Sequence, residues 1–117
     1  MRYLLNSAVI TAPGRYDYRL VSNAEARQWF AAGAVTSTIG YQETADALAL
    51  LLQAPVAMDR RTITMQPGDE ALVFRLAFPT GTPRIDPRDK GELGRAVLAG
   101  YYELGILTHL EGNHEQS

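Results

Sequence analysis

Ser37-Thr38-Ile39-Gly40-Tyr41-Gln42-Glu43-Thr44 sets a glycine and several hydroxyls before and inside the first turn of an apolar helix. A helix start presents backbone N–H groups with no intrahelical partner and the positive end of the helix dipole, which together suit a phosphate. Thr44 lies one turn beyond Gly40, so both can address one point above the helix start; otherwise Thr44 is a plain first-turn hydroxyl. Tyr41 shares a face with Ala45, Leu48 and Leu52 by helical spacing. Its ring opens the core stripe, and its hydroxyl stays free to reach outward. Asp59-Arg60-Arg61 precedes what reads as a strand, with Arg60 in the parity of Thr62 and Thr64. That pattern is a solvated edge or, at a cleft between two copies, a clamp on phosphate. Asn6 alternates with Leu4, Ala8 and Ile10, so its amide either braces backbone or contacts a ligand.

Several chemistries are excluded. There is no cysteine, hence neither a disulfide nor a thiolate metal site. His109 and His114 lack metal-ligand spacing, and no Walker loop, nucleophile elbow or HExxH is present. Neither a metal nor a cofactor is expected. The net charge of −2 and pI near 5.6 count against a general grip on long nucleic acid. A small anionic ligand in a local pocket remains open to such a chain. Positive charge is almost all arginine, with Lys90 the single lysine. Arginine suits forked phosphate contacts, although a GC-rich genome gives the same bias.

The elements that position these residues follow from pattern. Arg2–Thr11 reads as a buried strand, Ala12-Pro13-Gly14 as a turn, and Tyr16–Val21 as its hairpin partner. Ser22 and Glu25 have capping-box spacing before a helix that buries Ala26, Trp29 and Phe30 and ends at Gly33. A short strand at Ala34–Thr38 leads to the helix from near Gly40 to about Gln53, apolar nearly all round. One small domain is not expected to cover both faces of that helix, which predicts a two-fold homodimer. Arg61–Met65 and Ala71–Phe78 read as strands, Asp86-Pro87 as the start of a third helix, and Tyr101–Leu110 as a final strand. The expected class is α/β (α+β): one mixed, mainly antiparallel sheet flanked by about three helices. A single domain over 1–111 and a flexible tail over 112–117 fit the 117 residues. No signal segment or membrane span is expected, and the chain reads as cytoplasmic.

Taken in order, five pieces resemble the small viral ring nucleases, the type III anti-CRISPR proteins. They are Leu4-Leu5-Asn6-Ser7-Ala8, Ser37-Thr38-Ile39-Gly40 with Thr44, Asp59-Arg60, Gly68–Phe74 and Tyr102–Thr108. The resemblance implies a homodimer that binds cyclic tetra-adenylate, the second messenger of type III CRISPR immunity, across its two-fold axis. It implies metal-free opening of the ring by the substrate's own ribose 2′-hydroxyl. Catalysis is then positioning plus protonation of the departing 5′-oxygen. By resemblance Asn6, Ser7, Gly40, Thr44 and Arg60 fall at or beside ligand-contacting positions. Two places depart from the family pattern. Tyr41 stands where the motif has histidine, the general acid, and an ordinary phenol (pKa about 10) is a poorer acid near neutrality than imidazole (about 6.5). The loop after Phe78 reads Pro79-Thr80-Gly81-Thr82-Pro83 in place of a catalytic arginine and glutamate, with Arg84 able to enter from a shifted position. Binding is thus better supported than cleavage. A non-catalytic sponge or sensor is the second reading, and a DNA-binding or structural protein of a mobile element the third.

Overall fold

The computed structural model describes residues 1–6, 13–77 and 90–110. In chain order the elements are β1 (Arg2–Asn6), β2 (Tyr16–Val21), α1 (Asn23–Ala31), β3 (Thr36–Ser37), α2 (Gln42–Leu52), β4 (Glu70–Leu76), α3 (Lys90–Leu98) and β5 (Tyr102–His109). The strands form one sheet in the order β2-β5-β4-β1-β3. β1 runs parallel to both β3 and β4, while β5 is antiparallel to β4 and to β2. The described sheet is therefore mixed, and its two antiparallel ladders are longer than its two parallel ones.

β2 is not the hairpin partner of β1; it closes the far edge against β5, with Tyr16 opposite His109 and Val21 opposite Leu104. The reason lies in burial. Tyr3, Leu4 and Leu5 are all buried, the signature of a central strand covered on both faces, and parallel neighbours require crossovers instead of a tight turn. In β2, by contrast, residues 17–20 are exposed, as suits an edge.

All three helices contribute to the core on one face of the sheet. Leu4, Leu72, Phe74, Leu104 and Ile106 meet Ala26, Ala45, Leu48, Leu51, Leu52 and Leu93 there, with Trp29 and Phe30 packed at the margin. On the opposite face Tyr3, Leu5, Ala71, Val73 and Leu107 lie under Met65 and Ile63. The stretch 61–65, expected as a strand, makes no ladder. Its alternation is real, and Ile63 and Met65 face inward against the sheet without entering a ladder.

α1 begins as its sequence predicts: the Glu25 N–H donates to Ser22 Oγ at 3.1 Å. Ser22→Ala should cost about 1 kcal/mol, readable as a lowered urea midpoint with an unchanged slope. Gly33 does not provide a left-handed stop, since the helix closes at Ala32 with φ −74°. α2 starts two residues past Gly40 and ends on Gln53, itself left-handed at φ 55°. Of its residues, Thr44, Ala45, Ala47, Leu48, Leu51 and Leu52 are buried within a single chain, leaving Leu50 (74% exposed) as the large apolar residue facing outward. One chain thus covers far more of α2 than expected, because α1, α3 and residues 54–60 flank it. The surplus apolar face that predicted a dimer is reduced to one leucine. The start of the third helix, Phe78, residues 7–11 of the first predicted strand and the tail lie outside the described residues.

At the opposite end of the sheet, the Met1 ammonium donates to Asp69 Oδ1 at 2.8 Å and the Gln66 N–H to Oδ2 at 2.8 Å. Burial acts to raise the Asp69 pKa. The two hydrogen bonds, with the ammonium and His109 charges, outweigh it and hold the carboxyl below its usual range. A depressed folded pKa gives stability that is present above the unfolded value of 3.8 and is lost as pH falls through the folded one. Asp69→Asn should cost about 1–3 kcal/mol at pH 7 and flatten the acid limb of the stability curve below pH about 4. Urea midpoints between pH 2.5 and 7 measure both effects.

Candidate functional site at the start of the second helix

Topology brings the C-terminal ends of β1, β3 and β4 to one end of the sheet. β1 lies between β3 and β4, both parallel to it. The chain leaves β1 for β2 at the far edge, comes back through α1 to β3, and then passes through α2 to β4. The crevice outside such strand ends, where connections diverge, is where open α/β sheets receive ligands. Asn6, half-buried, terminates β1 there in register with Phe74 of β4. Ser7 and Arg84 lie outside the described residues.

β3 hands over to α2 through a braced turn. Thr38 sends both its N–H and its Oγ1–H to the Leu4 carbonyl, at 3.1 and 2.6 Å. Ser37 Oγ donates to the Ala57 carbonyl at 2.6 Å and accepts the Ile39 N–H at 3.2 Å. Ile39 is fully buried and pins the turn to the core. Its carbonyl accepts the Asp59 N–H at 2.8 Å. Residues 57–60 thus run beside 37–40 as a strap, which no periodicity in the sequence announces.

The strap delivers Arg60 to the helix start. Its guanidinium donates to the Gly40 carbonyl from Nη2 at 3.0 Å and from Nε at 3.3 Å, and stands 5.2 Å from the centre of the Tyr41 ring. Glycine permits the approach: a Cβ on residue 40 would lie 3.2 Å from Arg60 Nε and 3.5 Å from Cγ. Arg61 pairs with Asp59, whereas Arg60 is exposed and forms no ion pair among the described residues. Its charge is therefore the uncompensated one at this corner.

Tyr41 is the N-cap of α2, with extended backbone (φ −128°, ψ 134°) and no side-chain capping bond. Serine or aspartate at this position would consume a first-turn N–H; tyrosine leaves those donors to other acceptors. Glu43 in the same turn offsets part of the positive field. Thr44 does not share the surface with Gly40 and Tyr41, being 1% exposed and part of the interior. The structure therefore brings together Gly40, Tyr41 and Arg60, with Asn6 at the neighbouring strand end. Sequence reading missed Ser37 and Thr38 as the braces of the turn. Their hydroxyls were the available signal, since a serine and threonine ending a buried strand need acceptors. No group of metal-binding side chains occurs among the described residues, and no described helix is long and apolar enough to cross a membrane.

Comparison with known proteins fits this architecture. The chain resembles B116 of Sulfolobus turreted icosahedral virus in fold, with a TM-score of 0.67 over 92% of this chain and 98% of that one, at 16% identity. It is 34% identical over 74 residues to the uncharacterized protein YddF of Bacillus subtilis (strain 168), covering 62% of this chain and 68% of that protein. A family model described as STIV B116-like matches residues 2–79, which hold β1 through β4 and the whole α2 corner. The chain belongs to the STIV B116-like family.

Proposed function

We propose that this protein binds a cyclic oligoadenylate second messenger, cyclic tetra-adenylate in the first place, in a cleft completed by a second copy across a two-fold axis. The observation that carries the reading is the α2 corner: a helix start with no side-chain cap, beside an arginine that no carboxylate among the described residues neutralises. Phosphate satisfies free first-turn N–H groups and guanidinium at once. A ring of phosphates matches two such corners facing one another. Family membership and the similarity of this chain to the viral ring nucleases support the choice of ligand.

Ring opening would follow by positioning. The ribose 2′-hydroxyl gives its proton to solvent as its oxygen attacks the adjacent phosphorus, the P–O5′ bond breaks, and a 2′,3′-cyclic phosphate and a 5′-hydroxyl result. The departing 5′-oxygen needs a proton, and Tyr41 is the side chain at this corner with a hydroxyl to give. A phenol is a weak donor near neutrality, so turnover is slow and capture of the messenger dominates. By this reading the protein damps type III CRISPR signalling chiefly by sequestration, and as a sponge it must be present in amounts comparable to the ligand.

Incubation with cyclic tri-, tetra- and hexa-adenylate, followed by chromatography of ligand and products over a range of protein doses, tests the reading. Ligand disappearing in proportion to protein, recovered intact after denaturation, supports capture. Multiple turnovers per chain would replace capture with catalysis, and no retention of any ring would remove the reading altogether.

A further inference from the structure

The sheet edge farthest from the α2 corner carries a pattern that matches itself. β2 is the terminal strand, and among the described residues β5 is its sole ladder partner. Arg15 accepts the Leu110 N–H at 2.8 Å, so Arg15 faces β5 and, by alternation, Asp17 and Arg19 do as well. Tyr18 and Leu20 therefore turn their backbone N–H and C=O groups away from the sheet. Both are exposed, Leu20 to 58%, and neither a proline nor a bulge interrupts the strand.

We infer that β2 is a self-association edge, pairing antiparallel with β2 of a second copy about a two-fold axis at Tyr18. This register is the one in which backbone and side chains agree. Tyr18 meets its own counterpart as a doubly hydrogen-bonded pair, because its main-chain groups point outward. One residue away on each side, Asp17 falls opposite Arg19 of the other copy, twice by symmetry. Such flanking positions are non-hydrogen-bonded pairs, where side chains approach most closely and opposite charges favour association. Edge charges normally guard a strand against pairing. A strand carrying only lysines would repel itself, whereas Asp17 and Arg19 attract their own images.

The side chains are held ready. The Tyr18 ring lies across Gly105, where a Cβ would come within 2.5 Å of it, so β5 seats the tyrosine in place. Arg19 is held by Glu25 at 3.2 Å, on the side of the sheet that Asp17 shares. The contact leaves the α2 corner untouched, because β5, β4 and β1 separate the two edges. It is a second interface, distinct from the ligand cleft, and it joins ligand-binding units to one another.

The absence of native cysteine makes the test direct. Tyr18→Cys should give disulfide-linked dimers under mild oxidation at low micromolar concentration, since paired residues of this kind have Cα atoms about 5.5 Å apart. Gln28→Cys on exposed α1 serves as the collision control. In the Tyr18→Cys background, Asp17→Arg and Arg19→Asp should each slow linkage roughly tenfold, and the two together should restore it. Sedimentation of the otherwise unmodified chain and the same charge variants gives a readout independent of Tyr18. Linkage no faster than the control, or a double variant as slow as the singles, would overturn the inference whether or not any ligand binds.

Discussion

Replacing Tyr41 with histidine is expected to raise the rate of ring opening by about 10²–10⁴-fold at pH 7. The substitution puts imidazolium, titrating near neutrality, at the N-cap of α2 beside Gly40 and Arg60, where the leaving oxygen needs its proton. Fold and affinity should change little, because Tyr41 contributes no capping bond that histidine would lose. Tyr41→Phe is the complement. It keeps the ring under the Arg60 guanidinium and removes only the hydroxyl, so whatever cleavage the unmodified chain shows should vanish while binding stays within about twofold. Single-turnover chromatography of cyclic tetra-adenylate measures both variants. Equal rates in tyrosine, phenylalanine and histidine forms would exclude position 41 from proton transfer.

Arg60→Ala carries the second large effect. A forked, charge-assisted contact to phosphate is worth about 1.5–3 kcal/mol, so affinity should fall about 10- to 100-fold. The cost in stability is small by comparison, since Arg60 is exposed and its intramolecular bonds go to one carbonyl. Arg60→Lys keeps the charge without the fork and should recover only part of the affinity. Fluorescence titration with labelled ligand, alongside a thermal melt to establish folding, separates loss of the contact from loss of structure. Undiminished affinity in a folded Arg60→Ala chain would remove the clamp.

What sequence alone could reveal depended on whether the signal was local. Ser22 and Glu25 announced the start of α1 because the capping bond spans three residues. The Tyr3-Leu4-Leu5 run announced a buried strand because both its faces are covered. Partner choice was not local: nothing near Tyr16–Val21 specifies that it pairs with β5 instead of β1, and the short turn at Ala12-Pro13-Gly14 pointed the wrong way. The alternation at 61–65 was sound as a burial pattern and misleading as a strand. Two inward side chains at that spacing serve an unpaired segment lying against the sheet as well as a ladder.

The site divides in the same manner. Gly40 and Tyr41 stand next to each other in the chain, and their place at a helix start was legible. Arg60 was singled out from its neighbours, but its approach to Gly40 depends on the strap, whose bonds join residues twenty apart. Thr44, one turn beyond Gly40, reads from sequence as able to address the same point above the helix start, or else as a plain first-turn hydroxyl. With α2 starting at Gln42, Thr44 falls on the same buried face as Ala45 and Leu48. The dimer argument drawn from α2 weakened for a related reason: its apolar girth is covered by elements of the same chain whose packing no helical period encodes.

The shared cleft is tested most directly by calorimetric titration of cyclic tetra-adenylate into the unmodified protein at neutral pH and moderate salt. Saturable binding at one ring for every two chains is expected, lost or sharply weakened in Arg60→Ala. One ring per chain, or no heat with rings of three, four or six adenylates, would contradict it.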